Sequence, residues 1–71
     1  MTFREWLAGQ LAAHQQSPME VAIRLGLLES DVQDWLAGQS VPDPIQCGAL
    51  ATWFDQPPTA CLRAAGWSNH V

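Results

Sequence analysis

Residues 17–38 read SPMEVAIRLGLLESDVQDWLAG, and the pattern of this stretch is the strongest indication of the fold. Ser17 and Glu20 have the spacing of a capping box, which predicts a short helix that ends at Gly26. A second helical pattern follows directly, over about residues 29–37. Two short amphipathic helices joined by a tight turn are typical of a helix-turn-helix motif, so we expect that motif here.

The start of the second helix of this pair has two sequence signals. Leu28 stands where a side-chain cap is expected, whereas Ser30 with Gln33 offers a capping box two residues later. Gly38 can take the left-handed conformation that ends a helix. The apolar face of this helix is expected to carry Val32, Trp35 and Leu36.

Capping boxes also mark a helix on either side of the motif. Thr2 with Glu5 predicts a first helix over about residues 3–14, with apolar residues at helical spacing on one face. Asp43 with Gln46 predicts a fourth helix, and a proline follows Asp43 at the first helical position, where its missing amide costs nothing. These signals predict two helices that flank the central pair.

The C-terminal part of the chain holds one more predicted helix. Pro57 ends the fourth helix, and a short fifth helix is expected over about residues 58–65, with Gly66 closing it. Trp67 is expected to fold back on the core. We expect a frayed tail over residues 68–71.

The fold class follows from these elements. No run of alternating apolar and polar residues supports a strand, so we expect an all-α fold of five short helices. One compact domain over residues 1–71 is expected, with the helix-turn-helix at about residues 18–37. The expected core contains Leu7, Leu11, Val21 or Ala22, Leu25, Val32, Trp35, Leu50 and Leu62. Further apolar candidates are Met19, Ile23, Ile45, Ala49, Trp53 and Phe54.

The net charge disfavours a partner that is a polyanion. Seven acidic residues against three Arg and no Lys give a formal net charge of −4. Such a chain repels phosphate and anionic lipid at long range, and only Arg4, Arg24 and Arg63 can build a basic patch. No signal peptide and no apolar run of membrane-spanning length occur, so we expect a soluble cytoplasmic protein without a membrane partner.

Neither a metal site nor a catalytic site is indicated. Cys47 and Cys61 lack zinc-ligand spacing with one another and with His14 or His70. The serines have no Gly-x-Ser-x-Gly context, and a chain of this length has little room for a deep substrate cleft. We therefore expect no enzyme activity, no cofactor, no bound metal, and two reduced, buried thiols.

The order of helices and turns resembles the lambda-repressor-like helix-turn-helix family, the Cro/XRE type of bacterial and phage transcription regulator. The resemblance covers about residues 3–67, and its most specific elements are Leu25, Gly26, Val32, Trp35, Gly38 and the Pro42-Asp43-Pro44 entry to the fourth helix. It implies that the second helix braces the backbone of double-stranded DNA while the third enters the major groove, commonly in a homodimer that reads paired half-sites.

Carried over by position, the resemblance gives a set of candidate DNA-binding residues. Met19 stands where the family usually has a Gln that contacts phosphate, and Gln39 and Ser40 stand where a Lys or Arg is usual. Ser30, Gln33 and Ala37 lie on the expected groove-facing side of the third helix, and Glu29 and Asp34 lie beside them. The candidates are Ser17, Arg24, Glu29, Ser30, Gln33, Asp34, Ala37 and Gln39.

Several of these residues have a structural interpretation beside the functional one. Gln33 can bond bidentately to adenine, or it can simply be an exposed helical residue, or the capping-box partner of Ser30. Glu29 and Asp31 can accept hydrogen bonds from the amino group of cytosine, or they can stabilise the start of their helix through its dipole. Because no cluster of basic residues surrounds them, the second interpretation is favoured. The four tryptophans can form a partner surface, although a small domain needs most of them for its core.

Two functions from different classes therefore stay open. The first is a small transcription regulator that binds double-stranded DNA. The second is an interaction module that kept the helix-turn-helix scaffold and uses an acidic, aromatic face to hold a basic protein partner. The acidic residues of the third helix and the lack of Lys motivate the second function.

Overall fold

The computed structural model describes residues 2–67, which form five α-helices and no strand. The prediction of an all-α chain with five helices is confirmed. The tail predicted over residues 68–71 lies outside the described part of the chain. The helices are α1 (Phe3–His14), α2 (Pro18–Leu25), α3 (Glu29–Ala37), α4 (Pro44–Trp53) and α5 (Pro58–Ala64).

Three helices begin at the capping boxes that the sequence predicts. In each box, a side chain at the third helical position accepts a hydrogen bond from the backbone N–H of the cap residue, and the cap side chain accepts one in return. The N–H of the cap donates from Thr2 to Glu5 Oε1 at 2.9 Å, from Ser17 to Glu20 Oε1 at 2.7 Å, and from Asp43 to Gln46 Oε1 at 3.0 Å.

Helix α3 spans the predicted residues 29–37, and of the two starts that the sequence offered it uses the earlier one. Helix α3 begins at Glu29, so Ser30 already lies inside it, and Leu28 is the cap residue. The backbone N–H of Leu28 donates to Asp31 Oδ2 at 3.3 Å, which supplies half of a capping box. The Asp31 carboxylate thereby satisfies the N–H of Leu28 at the earlier start, and this bond outweighs the later signal of Ser30 with Gln33.

The core is centred on α1 and the inner sides of α2, α3 and α4. Two predicted core members, Leu25 and Leu62, are only half-buried because they lie at its edge. Met19 and Ile23 are 46% and 72% exposed, since they lie on the side of α2 opposite Val21. The buried residues are Phe3, Trp6, Leu7, Leu11, Val21, Ala22, Val32, Trp35, Pro42, Cys47, Leu50, Ala51, Phe54 and Cys61.

Aromatic contacts join α1 to the other helices. Phe3 meets Trp35 of α3 edge to face, with 6.0 Å between ring centroids, and Trp6 meets Phe54 in the same way at 6.1 Å. Helix α1 packs against α3 and α5, while α2 packs against α3 and α4 against α5. The two aromatic pairs therefore connect the half of the domain that holds α2 and α3 to the half that holds α4 and α5.

The end of the described chain returns to the loop before α4, although Trp67 does not pack into the core on which it was predicted to fold. The indole N–H of Trp67 donates to the carbonyl oxygen of Pro42 at 2.8 Å. Pro42 is fully buried, whereas Trp67 stays 43% exposed. The contact therefore fastens the segment after α5 without placing Trp67 in the core.

Two glycines are expected to respond to substitution in opposite directions. Gly38 ends α3 with φ of 79°, and a Cβ there would lie 3.4 Å from Arg4 Cδ. We expect Gly38→Val to destabilise the domain by about 1–2 kcal/mol or more, because a β-branched residue is strained in this conformation. Gly9 lies in the middle of α1 with open space at its Cβ position, so Gly9→Ala is expected to stabilise the domain by about 0.5–1 kcal/mol.

Thermal unfolding followed by circular dichroism measures both changes. The expected order of midpoints is Gly9→Ala above the natural chain and Gly38→Val below it. A Gly38→Val chain that melts with the natural chain would show that the left-handed end of α3 is not required.

Within residues 2–67, no helix is both long and apolar enough to cross a membrane. The longest is α1 with 12 residues, against the roughly 20 that a bilayer requires.

Candidate nucleic-acid interface

Helices α2 and α3 pack against each other across a three-residue turn. Gly26 opens the turn in the left-handed conformation, with φ of 70°, and the N–H of Leu27 donates to the carbonyl oxygen of Ala22 at 2.8 Å. Val21 and Ala22 of α2 and Val32 of α3 are almost completely buried in this part of the core. The contact between the two helices thus orients α3 with one side inward and the other toward solvent.

The outer side of α3 carries three of the candidate residues. Ser30, Gln33 and Ala37 are exposed and lie on one face by helical spacing, opposite Val32 and Trp35. Within the described residues, neither the Ser30 hydroxyl nor the Gln33 amide makes a hydrogen bond inside the chain. The interpretation of Gln33 as the capping partner of Ser30 is therefore wrong, because Asp31 serves the cap of α3.

Carboxylates border this outer face. Asp34 is exposed and Glu29 is half-buried, each beside one edge of the face. The Asp31 carboxylate accepts from the N–H of Leu28, which confirms its structural role at the start of α3. Glu29 and Asp34 have no such capping bond, so their charges remain available to repel or attract a partner.

Arg24, a candidate contact to DNA, is directed toward α4. Its guanidinium carbon lies 5.4 Å from the centre of the Trp53 ring, a cation–π geometry. Trp53 also stacks on Phe54, with 5.3 Å between the ring centroids. The structure therefore does not bring Arg24 to the outer face of α3 in this conformation.

A different arginine, Arg4, reaches the C-terminal end of α3. Its Cδ and Nη1 atoms lie 3.4 and 3.7 Å from the position that a Cβ of Gly38 would occupy. A cleft of about 510 Å³ borders these groups and also includes Trp35 and Ser40. Sequence reasoning did not place Arg4 in the site, because 33 positions separate it from Gly38 and the glycine's missing side chain was interpreted only as a helix stop.

The remaining candidates lie at the ends of the two helices. Ser17 is exposed, but its hydroxyl accepts from the N–H of Glu20 at 3.3 Å, so the cap of α2 uses it. Gln39 and Ser40 are exposed after α3, and the N–H of Gln39 donates to the carbonyl oxygen of Asp34 at 2.9 Å. These side chains are polar but uncharged, so Arg4 supplies the positive charge at this end of α3.

The two cysteines are unreactive by environment. Cys47 and Cys61 are free thiols and fully buried, and burial raises the pKa of each thiol above its usual range. Both therefore remain protonated at neutral pH, which makes them poor nucleophiles. Among the described residues, no three His, Cys, Asp or Glu side chains lie close enough to hold a metal ion, and His70 lies outside that part of the chain.

Comparisons with known protein families, curated proteins and solved structures find no match to this chain. The geometry and charge of its own residues are therefore what indicates a function. The features that carry it are the packed pair of α2 and α3, the exposed outer face of α3, and Arg4 at the end of that helix.

Proposed function

We propose that this chain is a helix-turn-helix DNA-binding domain of a transcription regulator, similar to the lambda-repressor-like family, with α3 as the helix that enters the major groove. The observation that carries the proposal is the outer face of α3. Packing against α2 buries one side of α3 and leaves Ser30, Gln33 and Ala37 exposed together on the other.

The chemistry of these side chains suits base edges. The amide of Gln33 can donate to N7 and accept from N6 of adenine in a bidentate pair after rotation of the amide plane, and no capping bond competes for it. Ser30 can donate to or accept from either kind of base pair, and the methyl group of Ala37 can contact the methyl group of thymine. Of these three, Gln33 is the residue expected to discriminate most between base pairs.

Arg4 is the residue that we assign to the phosphate backbone. Its guanidinium lies at the C-terminal end of α3, where a helix in the major groove comes close to a phosphate strand. A phosphate contact there would set the depth and orientation of α3 without reading sequence. Arg24 is assigned no DNA contact, since it packs on Trp53.

The acidic border of α3 sets the expected strength of binding. Glu29 and Asp34 oppose the approach of phosphate, and the chain as a whole carries a net charge of −4. A monomer that uses Arg4 alone would neutralise one phosphate, which corresponds to a salt slope near −0.9. We therefore expect weak binding that is measurable at low salt.

The test is a salt titration of binding to a pool of random-sequence double-stranded DNA, followed by selection of the retained sequences. We expect Arg4→Gln to make the salt slope less steep by about 0.9, because one phosphate contact is lost. Arg63→Gln is the matched control, since Arg63 lies on α5, which packs against α4 and α1. If the natural chain retains no DNA at low salt, the proposal fails.

Charge reversal on α3 provides a second prediction. Glu29→Lys with Asp34→Lys is expected to strengthen binding to random DNA and to steepen the salt slope by up to about 1.8, through two added phosphate contacts. Asp31 is left unchanged because it caps α3. Asp34→Asn on α3 and Asp55→Asn in the loop after α4 each remove one acidic charge, so this pair controls for net charge, and an equal gain in the two variants would contradict a specific role for α3.

The same acidic border favours one alternative, an interaction module for a basic protein partner. Exposed carboxylates at the edge of α3 would attract a positively charged surface and accelerate association. The double Lys variant distinguishes the two functions. It would lose a basic partner captured from a cell lysate, whereas a DNA-binding domain would gain affinity for DNA.

A further inference from the structure

The cleft at the C-terminal end of α3 has the size and floor of a small-molecule site. It lies between the start of α1 and the end of α5, with a volume of about 510 Å³. Pockets for small molecules have volumes of roughly 300–1,000 Å³. Phe3 and Trp35 line the cleft but are only 3% and 4% exposed, so their edge-to-face pair forms a buried aromatic floor. The cleft can therefore hold a single ring against this floor.

The walls of the cleft are mostly small and apolar. Val41, from the loop before α4, lies on one wall, and Ala64 with Ala65 lies at the end of α5. None of the described residues that line the cleft carries a carboxylate. A ring that fills the cleft would thus leave water without being placed beside an acidic group.

Arg4 is the one charged side chain among the described residues that line the cleft. Its Nη1 atom lies 3.7 Å from the position of a Cβ on Gly38, at the end of α3, where the partial negative charge of the helix favours a cation. Glu5, the nearest carboxylate along the chain, serves the cap of α1 by accepting from the N–H and the hydroxyl of Thr2. Within residues 2–67 no carboxylate pairs with Arg4, so its guanidinium keeps donors for an anion.

The charge of the chain limits which anion suits the cleft. A single arginine offsets one negative charge, and the net charge of −4 repels a multiply charged ligand such as a nucleotide. A carboxylate matches the planar guanidinium in a bidentate pair. The Ser40 hydroxyl, which also lines the cleft, can donate to the same carboxylate. The matching ligand is therefore a monoanion whose remaining surface is apolar.

We infer that the cleft binds a small aromatic carboxylate, with its ring on Phe3 and Trp35 and its carboxylate on Arg4. Burial of the ring supplies the hydrophobic part of the affinity. The charge-assisted pair with Arg4 orients the ligand and selects a carboxylate over a neutral analogue. Such a ligand and a DNA phosphate would compete for the same guanidinium, a consequence that rests on the proposed function.

The experiment is a titration of the full chain with phenylacetate, without DNA, followed through the backbone N–H signals in two-dimensional NMR spectra. We expect saturable shifts at Gly38, Ser40 and Gly66, which line the cleft, with a dissociation constant on the order of 1 mM. Phenylacetamide, an uncharged analogue of the same size, is expected to bind about 10-fold more weakly, because it cannot form the charge-assisted pair.

Substitutions in the cleft separate a direct contact from an effect on folding. Arg4→Gln is expected to weaken phenylacetate about 10-fold and to leave phenylacetamide nearly unchanged, a difference that loss of structure would not produce. Val41→Asp, at a position that is 46% exposed, should also weaken phenylacetate selectively, because it adds a carboxylate to the cleft wall. Arg24→Gln is the matched control, since it removes the same charge from a residue that stacks on Trp53, and it should bind like the natural chain.

Residues 68–71 follow Trp67 and lie outside the described part of the chain, so a chain that ends at Trp67 is titrated in parallel. We expect equal affinity in the two chains. The inference is overturned if phenylacetate shifts no cleft N–H signal in the natural chain, if phenylacetamide binds equally well, if Arg4→Gln and Arg24→Gln lose the same affinity, or if only the shortened chain binds. Because DNA is absent, each result leaves the proposed function to its own test.

Discussion

Val32→Asp is expected to unfold the domain at neutral pH, the largest effect of any single change considered. Val32 is fully buried on α3, next to Val21 and Ala22 of α2, and the buried residues of the described chain include no polar or charged side chain. A carboxylate there would have no partner, and a buried unpaired charge costs several kcal/mol even after relaxation. A domain of 71 residues has a total stability of only about 4–10 kcal/mol.

Far-UV circular dichroism of the purified variant measures this effect directly. Ile23→Asp is the control, because it introduces the same group on the adjacent helix at a position that is 72% exposed, and it should leave the helical signal intact. A Val32→Asp chain with the helical content and melting of the natural chain would show that α2 and α3 do not share a core.

Phe54→Ala is expected to lower the free energy of unfolding by about 3–5 kcal/mol, the second largest effect. Phe54 is 1% exposed at the end of α4. Its ring lies 6.1 Å from Trp6, 5.3 Å from Trp53 and 5.2 Å from His14, measured between ring centroids. Removing the ring leaves a cavity between α1 and α4 that these large, mutually packed rings cannot close.

The expected fall in the unfolding midpoint is at least about 12 °C for a domain of this size. Phe54→Leu serves as the matched variant, since it retains most of the apolar volume and should lose much less. Equal midpoints for the alanine variant and the natural chain would mean that the aromatic cluster does not hold the two halves together. A chemical denaturation series gives the free energies independently of temperature.

Helix starts were predictable wherever the two partners of the capping hydrogen bonds lie within a few residues of each other. The pairs Thr2 with Glu5, Ser17 with Glu20, and Asp43 with Gln46 form their reciprocal hydrogen bonds as predicted, because both partners belong to one turn of chain. At α3 the sequence offered two competing starts. The structure uses the earlier one, where the N–H of Leu28 donates to Asp31, and neither signal alone excluded the other because Leu28 has no side-chain oxygen to complete the box.

The candidate site was predictable in part for the same reason. The family resemblance implied that Ser30, Gln33 and Ala37 lie together on the outer side of α3, and helical spacing explains why all three are exposed there. The surroundings of that face could not be predicted in this way. Arg4 reaches Gly38 and Arg24 turns to Trp53 through contacts between helices, and no local spacing connects either pair.

Helix α4 shows most clearly which features depend on local sequence and which depend on packing against distant residues. Its sequence determined that it is a helix, where it begins and that it is apolar, because capping and helix propensity act over three or four residues. A helix that is apolar on every side has no pattern to say which side is buried. Packing against α5, together with the contact of Phe54 at its end with α1, placed Leu50 inside and Ile45 outside, since burial depends on residues distant along the chain.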